Sequence, residues 1–286
     1  YLVKKALERV REECDLVIDT SSNAPTKADV VYVHYPANLS SCRRDLVWRA
    51  YDLAVEMLVK STMGYPRLVL CNSTWTMRKF VEVFGRGYRV GVLHPPVDTD
   101  YFRDVCAKEN LVVTVSRFTP EKNLEKLVDV AKIIPYMEFI IVGSASKYSH
   151  SSSVIEKIKR RAEELDVKNL RLVVNAPREE LRELLCRAKV YLHPPFPEHF
   201  GIAVAEAMAS GAVPVVYRDG GAWTDLVSLV DERLGYRDIT EIPEILRLVE
   251  SEADVLRKKS RQIAEKYSQR AFKKKLLDYL ADLLST

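Results

Sequence analysis

Residues 192–216 have the sequence LHPPFPEHFGIAVAEAMASGAVPVV, and this stretch decides the fold. Its pattern predicts a strand, a helix over 202–209 and a second strand over 213–217. Apolar strands joined through a helix are typical of a parallel sheet that is covered on both faces. The stretch also carries Glu198 before the glycine turn and Glu206 in the apolar helix. Burying these carboxylates without partners would be costly, so the pattern predicts that a polar group meets them.

The alternation of strand and helix continues on both sides of this stretch and predicts an α/β protein. The predicted strands are 15–20, 29–36, 67–73, 110–118, 137–145, 170–176, 190–195 and 213–217. The predicted helices are 43–60, 74–84, one between the strands 110–118 and 137–145, 153–166, 178–187, 202–209 and a final basic helix over about 253–285. Two such series, joined by a proline-rich link, predict two doubly wound domains with a cleft between them.

The link and the final helix set the expected domain limits. We expect residues 1–98 to form a first domain, residues 99–262 a second domain, and residues 263–286 a helix that crosses back to the first domain. The chain begins at Tyr1, and its first segment already has a helical pattern. We therefore expect a leading strand and loop to be missing, and a signal peptide could precede them as well.

Composition excludes several classes of protein. A chain of 286 residues with 47% hydrophobic and 29% charged residues is typical of a folded two-domain protein. A net charge of +4 suits acidic ligands such as phosphates or an anionic membrane surface, without demonstrating either. No basic stripe with interleaved aromatic residues occurs, which argues against nucleic-acid binding. The longest apolar run, 201–217, is too short for a membrane span and contains Glu206 and Pro214.

The cysteines indicate a reducing compartment. They are odd in number and scattered along the chain without the spacing of a metal site. We therefore expect buried free thiols at Cys14, Cys42, Cys71, Cys106 and Cys186.

The segment SRFTPEKN, residues 116–123, places two cations where a strand ends and a helix begins. Arg117 follows the strand and Lys122 opens the next helix. Two cations beside free helix N–H groups make a site for a diphosphate. The alternative is a surface ion pair with Glu121 or Glu125.

The segment PEHFGIAVAE, residues 197–206, supplies the acidic part of the predicted site. Gly201 lets the backbone approach a ligand closely, and the amides after it open a helix N-terminus. Glu198 can accept hydrogen bonds from sugar hydroxyls, and Glu206 can accept a bidentate pair from a ribose. The alternative for each glutamate alone is a solvated carboxylate or a cap.

Together these motifs resemble the retaining nucleotide-sugar glycosyltransferases of glycosyltransferase family 4. The resemblance runs from about residue 15 onward and includes GGAWTDLV at 220–227. Four motifs are most similar to the dolichol-pathway α-1,2-mannosyltransferase branch: VHYP (33–36), NSTWTMRKF (72–80), VLHPPVDTDYF (92–102) and EHFGI (198–202). The resemblance implies a GT-B fold of two Rossmann-like domains, with residues 1–98 on the acceptor side and residues 99–262 binding the donor. It also implies a nucleoside-diphosphate sugar donor and no catalytic metal. The donor sugar is not specified by these motifs, so mannose rests on the similarity to this branch. The glycine-rich first loop of the family is absent from the chain.

The resemblance also implies roles for individual residues. Glu198 would hold the donor sugar, Glu206 the ribose, and Arg117 and Lys122 the diphosphate. The implied donor-binding set is Arg117, Lys122, Glu198, Phe200, Gly201, Ile202 and Glu206. The implied catalytic set is His34, Arg117, Lys122 and Glu198.

The histidines divide into a candidate site residue and several loop residues. In the family a histidine at the position of His34 lies beside the transferred sugar, and the alternative is a satisfied structural imidazole. His199 either tunes Glu198 or orients its loop. His94 and His193, each in an LHPP segment, are expected to satisfy loop hydrogen bonds.

Two further motifs imitate functional signals. DTD at 98–100 imitates a metal-binding motif, but Asp98 is better explained as a turn or cap residue. The sequons at Asn38 and Asn72 carry little weight, and Asn72 with the residues after it is expected to cap a helix.

The resulting expectation is retaining transfer of a sugar, mannose from GDP-mannose, onto a lipid-linked or other glycan acceptor. The alternatives are a UDP-sugar-dependent transferase on a soluble acceptor, a GT-B sugar-nucleotide epimerase or hydrolase, and a silent sugar-binding protein. We expect the protein in the cytoplasm, where it could also lie at the cytoplasmic face of the membrane. Basic residues of the first domain could contact anionic lipid there, or could be solvated helix faces: Lys4, Lys5, Arg9, Arg78, Lys79, Arg86 and Arg89.

Overall fold

Two parallel β-sheets organise the chain. The structure is a computed structural model that describes residues 13–36, 57, 63–103, 105–145 and 150–285. The chain divides into two compact units, Tyr1–Pro95 with Phe272–Thr286, and Pro96–Ala271. The domain limits expected from the sequence were residues 98 and 262. The predicted helix over 43–60, Lys4, Lys5, Arg9, Cys42 and the Asn38 sequon lie outside the described residues, apart from the single helical residue Met57.

The first unit contains a four-stranded sheet. Its strands pair in the order β1-β2-β3-β4, and all pairs are parallel. The strands are β1 Ile18–Asp19, β2 Val30–Val33, β3 Leu68–Cys71 and β4 Val90–Val92. Every residue of β3 is buried, as expected for a parallel strand that is covered on both faces.

Helix α1, Thr74–Phe84, follows β3 and begins at the predicted residue. Its cap is Ser73, whose Oγ accepts a hydrogen bond of 3.0 Å from the Thr76 amide. Asn72 does not cap the helix, because its side-chain amide donates to the backbone oxygen of His34 instead. Phe80 anchors the helix on the sheet and is fully buried.

The second unit contains a six-stranded parallel sheet with the order β10-β9-β8-β5-β6-β7. The strands are β5 Glu109–Val115, β6 Glu138–Gly143, β7 Leu170–Val174, β8 Ala188–Leu192, β9 Val213–Tyr217 and β10 Gly235–Tyr236. The helices are α2 Lys126–Ile133, α3 Ser151–Glu164, α4 Arg178–Arg187, α5 Ile202–Ala209, α6 Ile242–Ser251 and α7 Ala253–Glu265. Strand order therefore reverses between β5 and β8, and open α/β sheets bind ligands beyond the carboxyl ends of strands at such a point.

The final basic segment is two helices, so the prediction of one helix over 253–285 is wrong. α7 ends at Glu265, and α8, Gln269–Leu284, begins after a break. The break is fixed by backbone pairing, because the Val97 amide donates to the Tyr267 oxygen at 2.9 Å and Val97 bridges Ser268. Leu283 of α8 is buried in a core of the first unit, beside residues such as Leu93.

The expectation of free thiols is wrong for two cysteines. Cys106 and Cys186 form a disulfide, with Cα atoms 5.6 Å apart. Strand register brings them together, since Glu109 of β5 pairs with Ala188 of β8. Of the other described cysteines, Cys71 is buried and free, and Cys14 is exposed. The cysteines therefore no longer argue for a reducing compartment.

None of the helices in the described part of the chain combines the length and apolarity needed to cross a bilayer.

Candidate active site

The candidate site lies at the carboxyl ends of β5 and β8. Residues 116–125 follow β5, and residues 193–201 follow β8. Because these parallel strands are neighbours, both loops leave the sheet at the same edge. Their meeting point is an ion pair in which the Lys122 Nζ lies 2.8 Å from the Glu198 Oε2.

Lys122 is a buried cation. It ends the 3-10 turn Pro120–Lys122, and its side chain is only 10% exposed. The turn closes at Asn123, whose φ of 50° is left-handed, a conformation that asparagine tolerates better than most residues. The Nζ also lies 4.1 Å from the ring centroid of Phe196. A carboxylate and an aromatic face therefore hold the ammonium in place.

Glu198 has a second partner, His193. The His193 Nε2 lies 3.4 Å from the same Glu198 oxygen that contacts Lys122. The other oxygen, Oε1, accepts a hydrogen bond of 3.2 Å from the His199 amide. Burial alone would raise the pKa of the Glu198 carboxyl, but the hydrogen bond and charge of His193, with the charge of Lys122, hold that pKa well below its usual range. Glu198 is therefore an ionised carboxylate.

Two glycines fix the loop that carries Glu198. Gly220 has a φ of 93°, and a Cβ there would lie 2.4 Å from the Glu198 backbone oxygen. The amide of Gly221 donates to that oxygen at 2.6 Å. Gly201, at the N-cap of α5, has a φ of 95°, and a Cβ there would lie 2.9 Å from the Val204 side chain. Both glycines are needed where they stand, because the left-handed conformation and the close contact exclude a side chain.

Glu206 is half-buried in α5. None of the described residues donates a hydrogen bond to its carboxylate. Burial raises the pKa of Glu206 to about 7, against a lowering by Arg178, while Asp98 adds to the rise. Arg178 pairs with Asp98 at 2.6 Å and stacks 4.4 Å from the ring centroid of Tyr101. Asp98 therefore contributes an ion pair to the surroundings of Glu206, a role that sequence reasoning missed.

Arg117 is the more open of the two predicted cations. Its side chain is 69% exposed, and its guanidinium reaches only a 4.0 Å contact with Glu121. Glu125, the other partner considered, pairs with Lys157. Arg117 thus lies on the same loop as Lys122 but takes no part in the Lys122–Glu198 pair.

The family follows from a comparison with known proteins. Residues 102–228, which contain both loops of the site, match the family described as Glycosyl transferases group 1. This segment is called the group 1 domain below, after the family that it matches. The predicted resemblance to glycosyltransferases is therefore confirmed for the part of the chain that carries Arg117, Lys122, Glu198 and Glu206.

Relatives of the group 1 domain include mannosyltransferases. A GDP-Man:Man(3)GlcNAc(2)-PP-Dol alpha-1,2-mannosyltransferase of Dictyostelium discoideum is 26% identical over 89% of this chain and 59% of its own length. The Homo sapiens protein of the same name is 29% identical over 56% of this chain and 36% of its own length. The predicted similarity to this branch is confirmed, although the chain spans less than two thirds of the length of these relatives.

Solved structures confirm the predicted GT-B fold class. Sucrose-phosphate synthase from Thermosynechococcus elongatus has a TM-score of 0.72 at 18% identity and covers 90% of this chain and 68% of its own. Anabaena Alr3699/HepE in complex with UDP and glucose has a TM-score of 0.71 at 17% identity and covers 98% of this chain and 81% of its own. At these identities the likeness shows the fold alone.

Phe200 and Ile202, two residues of the predicted binding set, differ from each other in burial. Phe200 is 2% exposed, and its ring packs 5.4 Å from the Tyr267 ring. A ligand could therefore meet Phe200 only through its backbone. Ile202 begins α5 and is 45% exposed.

His34 lies outside the group 1 domain, at the end of β2 in the first unit. Its side chain is exposed, and its Nε2 lies 3.2 Å from the Thr20 oxygen. Its backbone is held on both sides, because its amide donates to the Asn23 Oδ1 at 2.8 Å and its oxygen accepts from the Asn72 Nδ2 at 2.9 Å. These asparagines, which fix the position of His34, were not part of the predicted set.

Proposed function

We propose that the protein is a retaining, metal-independent glycosyltransferase that moves mannose from GDP-mannose onto a lipid-linked glycan. The observation that carries the proposal is the ionised Glu198, held by the buried cation Lys122 at the β5–β8 edge of a group 1 domain. The donor and acceptor are taken from the names of the mannosyltransferase relatives.

The donor is bound by groups of opposite charge. Glu206 accepts hydrogen bonds from the ribose, which fits a half-buried carboxylate without a donor among the described residues. Lys122 and Arg117 hold the diphosphate, together with the amides at the start of α5 after Gly201. Glu198 accepts hydrogen bonds from hydroxyls of the transferred sugar.

Transfer is driven by stabilisation of the leaving group. Cleavage of the sugar–phosphate bond places negative charge on the diphosphate and positive charge at the anomeric carbon. Lys122, Arg117 and the helix amides offset the first charge, as preorganised cations and donors do in other transferases. Glu198 is already paired with cations, so it serves to orient the sugar and not as a nucleophile.

A donor panel tests the proposal. The folded protein is heated with GDP-mannose, GDP, UDP-glucose, UDP and other nucleotide sugars, and the melting temperature is recorded for each. A ligand at 100 times its dissociation constant stabilises the folded state by about 2.7 kcal/mol, which such a scan detects readily. Stabilisation by GDP and GDP-mannose alone supports the proposal. Stabilisation by UDP-sugars alone would favour the UDP-dependent alternative, and no stabilisation by any of them would contradict a donor site.

The acceptor proposal includes contact with a membrane. Arg89 and Lys79 of the first unit are engaged in ion pairs with Asp282 and Glu82. Arg78 and Arg86 instead line an open groove of about 430 Å³, whose other walls include Met77, Val81, Tyr88 and Val90. Cations beside apolar side chains suit the headgroup region of an anionic bilayer.

We test the membrane contact by sedimentation with vesicles of phosphatidylcholine, with and without phosphatidylserine. The double variant Arg78→Glu with Arg86→Glu should lose binding to the anionic vesicles, whereas Lys189→Glu in the second unit should not. Equal binding of both variants would refute the contact. The proposed location at the cytoplasmic face rests on the acceptor and not on the cysteines.

A further inference from the structure

His193 is a buried histidine at the end of β8 with two polar contacts. Its side chain is 5% exposed. The Nδ1 lies 2.8 Å from the backbone oxygen of Pro194, and the Nε2 lies 3.4 Å from the Glu198 Oε2. Its backbone oxygen accepts a hydrogen bond of 2.6 Å from the Tyr236 hydroxyl. The ring is therefore held between a carbonyl and a carboxylate.

These contacts specify where the protons lie. A carbonyl oxygen only accepts, so Nδ1 must carry a proton to face the Pro194 oxygen. A neutral ring would then present the lone pair of Nε2 to the Glu198 carboxylate, which would be repulsive. A proton on Nε2 removes this conflict and makes a charge-assisted contact. The geometry thus selects the imidazolium form of His193.

An imidazolium changes the charge balance of the site. Lys122 and His193 both face one carboxylate oxygen of Glu198. If Lys122 were the sole counter-ion, its turning toward a donor diphosphate would leave a largely buried carboxylate unpaired, which is costly. With His193 charged, Glu198 retains a partner when Lys122 moves to the donor.

We infer that His193 is a positioning residue: as an imidazolium it keeps Glu198 ionised and oriented while Lys122 engages the donor diphosphate. The inference rests on the proposed function for the roles of Lys122 and Glu198. It assigns to His193 a role that goes beyond the loop hydrogen bonds expected from the sequence.

The other titratable groups around the ring do not compete for this role. Glu198 is the carboxylate that faces the ring, and Lys122 reaches it only through Glu198. Tyr236, from β10, contacts the backbone of His193, and burial raises the pKa of its phenol, so it stays neutral. Tyr191 of β8 donates to the Val115 oxygen, and burial likewise raises the pKa of its phenol.

Nitrogen NMR of the histidine rings tests the protonation state without any donor. In the wild type at about pH 7 we expect both ring nitrogens of His193 to carry protons, because the Pro194 oxygen and the Glu198 carboxylate each face one of them. Glu198→Gln should lower the ratio of doubly protonated to neutral ring at that pH about tenfold or more. His150→Asn, at an exposed position, is the matched control and should leave the His193 signals unchanged. A neutral His193 ring, or a ratio unaffected by Glu198→Gln, overturns the inference.

A pair of substitutions separates positioning from packing. In His193→Gln the amide nitrogen can still donate toward Glu198, whereas in His193→Asn the shorter amide reaches only the Pro194 oxygen. For folded variants we expect His193→Asn to lower kcat for transfer about tenfold or more, and His193→Gln to recover part of that loss without the wild-type pH profile. Equal activity and equal pH profiles in both variants and the wild type would overturn the inference.

Failure of the inference can be told apart from failure of the proposed function. If the nucleoside diphosphate binds Lys122→Ala and Arg117→Ala as tightly as it binds the wild type, the diphosphate site is wrong whatever His193 does. If those variants bind weakly but His193 is neutral in the NMR experiment, the donor site stands and the role of His193 falls.

Discussion

At the residue scale, the site depends on cations that meet a carboxylate across two loops. Lys122 is buried and paired, whereas Arg117 is exposed, so the two cations start from different states. If these cations bind a diphosphate as proposed, Lys122 has to exchange its partner, while Arg117 has only a weak contact to give up. Loss of either residue should nonetheless remove a cation from the proposed diphosphate site.

The first prediction concerns these cations. Lys122→Ala and Arg117→Ala should each weaken binding of GDP, and each should slow transfer on the order of 10²-fold or more, as loss of one transition-state donor does. Isothermal titration with GDP and steady-state kinetics measure the two effects. Lys126→Ala, an exposed residue at the start of α2, is the control and should behave like the wild type. Unchanged GDP affinity in both variants would contradict the assignment.

The second prediction uses the raised pKa of Glu206, which is about 7 in the ligand-free protein. A ribose donates to the carboxylate form, so GDP affinity should rise as the pH increases through 7 and Glu206 loses its proton. Glu206→Gln should weaken GDP and GDP-mannose alike and should remove this part of the pH dependence. Titrations at several pH values compare the variant with the wild type, which cancels the ionisation of the phosphate itself. A wild-type profile that parallels the variant's would refute the ribose contact.

Glu198→Gln provides the contrast to Glu206→Gln. It should leave the affinity for GDP nearly unchanged while it impairs transfer, because GDP lacks the sugar that Glu198 is proposed to contact. If both glutamates merely stabilise α5, both variants would lose stability with no difference between GDP and GDP-mannose. If both variants lose the same affinity for GDP and for GDP-mannose, the assignment of Glu198 to the sugar and Glu206 to the ribose is wrong.

At the element scale, the loop after β8 is shaped by a glycine from another segment. Gly220 has a left-handed backbone and packs against the Glu198 backbone. Gly220→Ala should reduce the free energy of unfolding by about 1–3 kcal/mol, because of backbone strain and the contact with Glu198. Chemical denaturation measures the loss. Gly87→Ala is the control, since a Cβ at Gly87 meets no atom within 4 Å. Equal stability of the two variants would contradict this explanation of the loop.

Sequence periodicity predicted the elements that have strong patterns. The helices Thr74–Phe84, Arg178–Arg187 and Ile202–Ala209 lie where they were predicted, because apolar spacing and clear ends mark them. Strands β4 and β10 escaped prediction, since three and two residues are too few to show a period. The break before α8 also escaped, because it depends on pairing with Val97 in a distant part of the sequence.

The site was predictable where local sequence motifs mark its residues. Lys122 and Glu198 could be proposed from local motifs, since each follows a predicted strand. The proposed role of His193 and the Asp98–Arg178 pair could not be predicted from local motifs. Both depend on which side chains lie next to each other in the folded chain. Sequence spacing alone does not contain the strand order that brings β5 beside β8.

At the scale of the whole molecule, the last helix belongs to the first unit from Phe272 onward. Leu283 is 1% exposed in a core of that unit, while Leu277 of the same helix is 63% exposed. Leu283→Ala should lower the free energy of unfolding by about 2–5 kcal/mol, as other buried leucine truncations do. Leu277→Ala should change it by no more than about 0.5 kcal/mol. Thermal and urea unfolding of the two variants make the comparison, and a similar effect of both would show that the helix is not anchored by Leu283.

Metal independence is also a prediction for the whole molecule. In the described part of the chain no group of three or more His, Cys, Asp or Glu side chains is arranged to hold a metal ion. The proposed mechanism relies on Lys122 and Arg117 to offset the charge of the diphosphate. Transfer should therefore continue at an undiminished rate in EDTA. Loss of turnover on chelation, restored by manganese or magnesium, would count against the mechanism.

The adjacency of β5 and β8 has a consequence for how the protein acquires its activity. The loops that carry Lys122 and Glu198 are distant in sequence, and only the alignment of these strands brings them together. Contacts between distant segments carry a large loop-closure cost and form slowly during folding. A refolding chain can therefore regain much of its helical signal before the proposed nucleotide site has formed. The rate at which ligand binding recovers after dilution from denaturant would then report the rate at which β5 and β8 align.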